Sequence, residues 1–198
     1  MPILSDYDHF TGRHAETGSV HNVLAYQGVR APHTGRPYSE AFLLGVSGGI
    51  AFGYFTFDYH GYDPILALLT RNTFDPLQTL LERLGVPQTV RQTGSPATGE
   101  RNLREALASG VPALVWADRF SLPYNALPHD GRNWDVQPVV VFGLDETHAY
   151  LADRSSSPLR VPVEALRAAR LRVKKDKFRV VTLGPPDERK LAEAARQG

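Results

Sequence analysis

The feature that constrains the fold most is a succession of three strand-like segments between residues 111 and 153. They read VPALVWAD, PVVVFGLD and THAYLAD, and a tight turn joins the last two. Their apolar and β-branched runs predict buried strands. The helical patterns lie mostly before these segments, so the order of elements predicts an α+β domain rather than a doubly wound sheet.

The predicted helices begin and end at residues typical of helix termini. Residues 15–27 carry apolar residues at helical spacing and stop at Gly28. Ser39 is a typical N-cap for EAFLLGV, and Asp75 precedes a proline at the start of LQTLLERL, which ends at Gly85. Further helices are predicted at residues 98–109 and in VEALRAAR, and further strands in IAFGYFTFDY, at residues 86–92 and in KFRVVTL.

Length and composition predict one soluble globular domain. The 198 residues are 42% apolar and 22% charged, without a run that could span a bilayer. The first residues lack the pattern of a secretion signal, so a cytoplasmic location is expected. The chain has no cysteine, which excludes disulfides, thiolate metal sites and cysteine nucleophiles. A net charge of +1 argues against a dedicated nucleic-acid binder.

The character of the sequence changes after two prolines at 185–186. The last segment, DERKLAEAARQG, predicts a charged helix with little apolar surface to bury. We assign residues 1–184 to the main domain and residues 185–198 to a charged helical stub. The stub is either a frayed tail or the first helix of a further domain.

Two patterns resemble catalytic or metal-binding motifs. Residues 45–49 spell G-x-S-x-G, but the nucleophile elbow needs a strand before the serine and a helix after it, and here the order is reversed. A tight turn at the glycines is therefore favoured. His14 and His21 lie two turns apart on one helix, but two ligands do not make a metal site. Neither a metal nor a cofactor is expected.

A basic span follows the last predicted helix. Seven cations lie within it: Arg167, Arg170, Arg172, Lys174, Lys175, Lys177 and Arg179. A solvated edge that discourages strand pairing is the favoured interpretation. The alternative is a docking patch for an acidic carrier protein or a nucleic acid.

Four segments together resemble the N-terminal family of butirosin biosynthesis protein H. They are HAETGSVHNVLAYQG, SEAFLLGVSGGIAFGYFTF, ALVWADRFSLPYN and PVVVFGLDETHAYLAD, and the resemblance spans roughly residues 10–183. It implies a papain-like fold with N-terminal helices packed on a mainly antiparallel C-terminal sheet. It also implies a role in secondary metabolism, since the namesake moves an aminoacyl group from an acyl-carrier protein onto an aminoglycoside amine. Members often carry a second, helical domain.

The resemblance maps three catalytic positions onto this chain, of which two are changed. The family pattern begins His-Cys, and here His14 matches while Ala15 stands at the cysteine. Gln137 stands at the catalytic histidine, and Asp153 matches the third member. By position alone, a turn or cap residue is the favoured interpretation of Asp153. Acyl transfer through a thioester needs a thiolate and an imidazole, so the ordinary mechanism is lost.

The former active site is expected to be a binding cleft. The residues expected to line it, besides the mapped positions, are His14, Glu16, Glu40, Tyr124 and His129. His129 is also a candidate substitute for the missing histidine. Ser19 is a candidate nucleophile, although a helix-surface serine is the favoured interpretation.

Three functions are compatible with this pattern. The first is a non-catalytic relative that binds a peptide, an acylated carrier or a small amine in the cleft. The second is an active acyltransferase or amidohydrolase that transfers an acyl group to an amine with other residues. The third is a structural or assembly domain. The expected partners are an acidic acyl-carrier protein, a peptide or a small-molecule amine, and neither a membrane nor a nucleic acid.

Overall fold

The computed structural model describes residues 3–49, 53–69, 75–128, 133–187 and 189–190. The helices within these ranges are α1 (Ala15–Tyr26), α2 (Glu40–Val46), α3 (Pro76–Leu84), α4 (Pro96–Ala108) and α5 (Val163–Leu171). The strands are β1 (Gly53–Phe57), β2 (Ile65–Leu69), β3 (Gln88–Arg91), β4 (Ala113–Asp118), β5 (Val136–Leu144), β6 (His148–Ala152), β7 (Leu159–Pro162) and β8 (Val180–Leu183). Short 3-10 turns follow β4 at Arg119–Ser121 and Pro123–Asn125. No helix in these ranges has the length and apolar character needed to cross a membrane.

Six strands form one antiparallel sheet in the order β3-β8-β4-β5-β6-β7. The strands β4, β5 and β6, predicted from their apolar runs, are neighbours at its centre. Val139 of β5 pairs with Val115 of β4, and Val140 pairs with Ala152 of β6. The predicted α+β class is thereby confirmed.

Alternate residues of the central strands enter two different cores. Val140 and Leu114 are buried with the apolar residues of α1, α2 and α3. Val139 and Val115 are buried with those of α4 and α5. Because successive side chains point to opposite faces of a sheet, one strand supplies both cores. The N-terminal helices therefore pack on the sheet as predicted, and α4 and α5 cover the face away from α1.

Side-chain caps fix the helix starts. Ser39 Oγ accepts the N–H of Phe42, and Asp75 Oδ1 accepts the N–H of Gln78. The helix predicted at 98–109 begins earlier, at Pro96, because Ser95 caps it and proline suits the first turn.

Three of the observed strands differ from the sequence expectation. Neither β2 nor β7 was predicted: β2 pairs with β1 in a separate hairpin, and β7 is a four-residue edge strand beside β6. The strand predicted in KFRVVTL begins only at Val180, because Phe178 has φ +46° and breaks the extended backbone. Residues 50–52 of the predicted strand IAFGYFTFDY lie outside the described residues.

The basic span is not a uniformly solvated edge. Arg167 pairs with Glu100 and Glu164. Arg172 pairs with the buried Asp118 at 3.0 Å. The remaining arginines also pack inward: Arg170 is buried, and Arg179 lies 4.6 Å from the ring centroid of Trp116. Arg167 is exposed despite its ion pairs, and so are Lys174, Lys175 and Lys177. Docking of an acidic partner there stays a prediction.

Of the predicted stub, residues 188 and 191–198 lie outside the described residues. Near its start, the N–H of Asp187 donates to the carbonyl of Gly85 at 2.9 Å, which holds this part of the stub against the end of α3. A further domain beginning at the stub stays a prediction.

Candidate functional site

Helix α1 begins at Ala15, the position that the resemblance assigns to the cysteine. His14 is the N-cap: its backbone is extended, and its ring Nδ1 accepts the N–H of Thr17 at 3.4 Å. The same Nδ1 lies 3.0 Å from the hydroxyl oxygen of Thr17. Ala15 itself is buried. His14 therefore holds the first turn of α1 in place.

Glu40 is the acidic residue that fixes the loop before α1. Its Oε1 accepts the N–H of His14 at 2.6 Å, and its Oε2 accepts the N–H of Arg13 at 2.9 Å. The hydroxyl of Thr17 donates to Oε1 at 3.3 Å. A carboxylate at a helix N-terminus also interacts favourably with the helix dipole. The sequence placed Glu40 in the cleft without a role, and the geometry makes it the support of the helix start.

Two glycines allow the loop before α1 to lie directly against the helix. Gly12 has φ +133°, and a methyl group placed there would lie only 3.0 Å from Cα of Gly18. The same methyl group would lie 3.9 Å from Cγ of Arg154. The chain just after β6 thus reaches the start of α1. We call this region the helix-start site; it comprises residues 12–15, Glu40 and residues 153–154.

Asp153 lies in a closed polar network. It is 8% exposed and directly follows β6. Arg154 donates from Nε to Oδ1 at 2.7 Å and from Nη2 to Oδ2 at 2.9 Å. The hydroxyl of Tyr124 donates to Oδ2 at 2.8 Å. Both carboxylate oxygens are therefore occupied by groups of the same chain.

The network also shifts the pKa values of two of its members, Tyr124 and Arg154. Burial raises the pKa of Tyr124 far above its usual value, and the neighbouring Asp153 charge raises it further. The hydrogen bond with Asp153 raises the pKa of Arg154, although burial acts in the opposite direction. Tyr124 is thus a neutral donor and Arg154 a permanent cation near neutral pH. The sequence interpretation missed Arg154. The only signal for it in the sequence is that it directly follows Asp153.

Gln137 lies near the start of β5, opposite Ala117 of β4. Its Nε2 donates to Asp135 Oδ1 at 2.8 Å. The other oxygen of Asp135 accepts from Arg119 at 2.8 Å. Among the described residues, no hydrogen bond joins Gln137 to Asp153. The amide at the histidine position is thus oriented by its own neighbours.

The other candidates are distributed as follows. Glu16 is half-buried in the first turn of α1. Ser19 lies on a buried face of that helix, with only 4% of the residue exposed. The expectation of a solvent-exposed serine on the helix surface is therefore wrong. His129 lies outside the described residues.

The serine of the G-x-S-x-G pattern ends a helix. Ser47 Oγ donates to the carbonyl of Leu44 at 2.6 Å and accepts the N–H of Gly49 at 3.0 Å. The interpretation as a helix-terminating turn is confirmed, and the elbow geometry is absent. No three His, Asp or Glu side chains within the described ranges are grouped as metal ligands.

Comparison with known proteins identifies the family and the fold of the chain. The family model of butirosin biosynthesis protein H, N-terminal, matches residues 14–154. The chain belongs to this family. The matched segment begins at the N-cap of α1 and ends at Arg154, so it contains the whole of the helix-start site apart from residues 12–13.

Among solved structures, the chain is similar to a C39-like peptidase from Bacillus anthracis. The TM-score is 0.59 at 17% identity, with 94% of this chain and 98% of that chain covered. At this identity the likeness concerns the fold, which is papain-like, as predicted. No curated protein matches the chain.

Proposed function

We propose that this member of the family is non-catalytic and binds a peptide, an acylated carrier protein or a small amine at the helix-start site. The observation that carries the proposal is the closed network around Asp153. A carboxylate that orients a catalytic imidazole accepts its N–H and needs an acceptor position for it. Here Arg154 and Tyr124 donate three hydrogen bonds to the carboxylate, so most of its roughly four acceptor positions are used within the chain.

The groups at the other two mapped positions support the same conclusion. The methyl group of Ala15 offers no nucleophile at the place where a helix N-terminus would stabilise a thiolate. The amide of Gln137 does not titrate near neutral pH and donates to Asp135. Covalent acyl transfer needs both functions.

The test compares the natural chain with restored variants. The substrates are an aminoacyl thioester of an acyl-carrier protein and simple peptides, with release followed by mass spectrometry. The variants are Ala15→Cys, then Ala15→Cys with Gln137→His, then both with Arg154→Gly. Glycine suits the last position because Arg154 has φ +45°.

We expect turnover only in the variants that hold both Cys and His, and more in the one that also frees Asp153. The single Ala15→Cys change is the matched control, since it supplies a thiol without a base. Turnover by the natural chain would contradict the proposal.

Binding is measured separately, by calorimetry with the same carrier thioester and peptides and with a simple primary amine. We expect the natural chain to bind one of them and a His14→Ser, Gln137→Ala variant to lose that binding. Serine at residue 14 keeps an N-cap for α1, so the fold is preserved. The control is Arg101→Gln on α4, a helix that covers the other face of the sheet. If the carrier thioester, the peptides and a simple primary amine all failed to bind the natural chain, the proposal would be wrong.

A further inference from the structure

A groove lies between α4 and α5, on the sheet face away from α1. Its volume is about 840 Å³, within the range typical of small-molecule sites. Its apolar walls include Leu103, Leu144, Val163, Leu166, Leu171 and Phe178. Leu171 is 62% exposed at the rim, so apolar surface continues from the groove to solvent.

A buried cation lines this groove. Arg170, in the last turn of α5, is only 4% exposed. Its Nε and Nη2 atoms are buried and have no hydrogen-bond partner among the described residues. Its guanidinium carbon lies 5.6 Å from the ring centroid of Phe178. Burial lowers the pKa of Arg170 to about 10, which still leaves it charged near neutral pH.

The acidic residues of the groove are engaged by other arginines. Glu100 accepts from Arg104 at 2.8 Å through one oxygen and from Arg167 through the other. Glu164 also pairs with Arg167. Arg170 is therefore a cation without an ion-pair partner within the described part of the chain.

Phe178 adds a second unusual feature beside Arg170. Its φ is +46°, which is rare for a bulky residue. It lies so close to α4 that a methyl group at Gly99 would come within 2.4 Å of its Cβ. Strained residues are held where the surrounding structure requires them, often at ligand sites. The ring is thereby fixed against the guanidinium.

An unpaired buried charge destabilises a fold unless a partner compensates it. We propose that the groove binds an amphipathic organic anion, with a single apolar chain between α4 and α5 and a carboxylate or phosphate on Arg170. The apolar walls fit the chain, and Arg170, which lines the groove and has no hydrogen-bond partner for Nε and Nη2 among the described residues, supplies the charge for the head group. This site is separate from the helix-start site and does not depend on the function proposed there.

The test measures binding of decanoate, decyl phosphate and decanol to the full chain by calorimetry. We expect at least one of the two anions to bind and decanol to bind at least about tenfold more weakly, because it lacks the charge. The comparison of the two anions identifies the preferred head group. Equal binding of all three would overturn the proposal, as would no binding of either anion up to about 1 mM.

Three variants locate the site. Arg170→Met is expected to lose anion binding at least about tenfold while its melting temperature stays equal or rises, since a buried unpaired charge is removed. Ala168→Trp fills the exposed side of the groove and should abolish binding without touching Arg170. Lys174→Gln, which removes an exposed cation that does not line the groove, should bind as the natural chain does.

Unchanged binding in Arg170→Met would overturn the proposal. A clear fall in its melting temperature would do the same, since it would assign Arg170 a structural role. Because the helix-start variants keep Arg170, their anion binding should be normal, so each proposal fails by its own measurement.

Discussion

The helix-start site and the groove between α4 and α5 both contain a largely buried arginine, but only one of the two is paired. Arg154 makes two hydrogen bonds with Asp153, which also accepts from Tyr124. Arg170 is buried without a hydrogen-bond partner among the described residues.

The paired arginine belongs to a network that stabilises the fold, whereas the unpaired arginine lacks a counter-ion. A saturated network gives stability and leaves little for a reaction, whereas an unpaired buried charge costs stability until something binds it. Removing the acid from the first region should therefore destabilise the fold, and removing the cation from the second should not. Variants of Asp153 and Glu40 test the helix-start site, and a variant of Glu100 tests the surroundings of Arg170.

The largest effect is expected for Asp153→Ala. The change leaves the partly exposed side chain of Arg154 and the hydroxyl of Tyr124 without their acceptor. Breaking a fully buried ion pair costs about 3–5 kcal/mol of the free energy of unfolding, and we expect a loss at the lower end because Arg154 still reaches water. Urea unfolding at neutral pH measures it.

Two variants grade that effect. Asp153→Asn keeps an acceptor oxygen and should lose less, and Tyr124→Phe removes one hydrogen bond and should lose about 1 kcal/mol. An alanine variant as stable as the natural chain would show that the network is dispensable, and the contrast between the two regions would then fail.

A smaller loss is expected for Glu40→Ala. Its carboxylate accepts backbone N–H groups of Arg13 and His14, and hydrogen bonds to a charged group contribute about 1.5–3 kcal/mol. Amide hydrogen exchange should accelerate at these two residues. The control is Ser39→Ala, which removes the cap of α2 at about 1 kcal/mol but leaves those N–H groups bonded. Equal exchange in both variants would remove Glu40 from its supporting role.

Much of this frame could be predicted from sequence because local chemistry determines it. Ser39 and Asp75 were recognised as caps, since a short polar side chain before an apolar helical pattern has few other uses. The central strands β4, β5 and β6 were evident from their apolar runs, which only a sheet covered on both faces can bury. The edge strand β7 has only four residues, too short for a recognisable pattern.

The parts that escaped prediction depend on contacts between distant residues. The roles of Arg154 and Glu40 become visible only when the end of β6 and the start of α2 meet the first turn of α1. Arg170 was one cation in a basic span, and the sequence could not tell that it is buried while Lys174 nearby is exposed. Mapping of Ala15, Gln137 and Asp153 came from the family resemblance, and their lost function stays a proposal.

The smallest effect concerns Glu100, the carboxylate whose charge raises the pKa of Arg170. Burial tends to raise the pKa of Glu100, but hydrogen bonds from Arg104 and Arg167 lower it below 4.5 overall. A lowered pKa in the folded state means that the stabilisation is complete above about pH 4.5 and is lost as the pH falls through the folded value. The Glu100→Gln variant should therefore be less stable than the natural chain at neutral pH. The loss in free energy of unfolding should be under about 1 kcal/mol, because the ion pairs of Glu100 with Arg104 and Arg167 are partly exposed. The difference should shrink as the pH falls below 4.5.

The same variant sharpens the comparison, because Glu100 also acts on Arg170 through its charge. If Arg104 and Arg167 are its partners, Glu100→Gln should leave decanoate binding intact or strengthen it, since one negative charge near the head group is removed. Thermal unfolding across a pH series, together with decanoate titration, measures both effects. A loss of several kcal/mol with unchanged anion binding would instead make Glu100 the buried counter-ion of Arg170. The groove would then be as fully paired as the helix-start site.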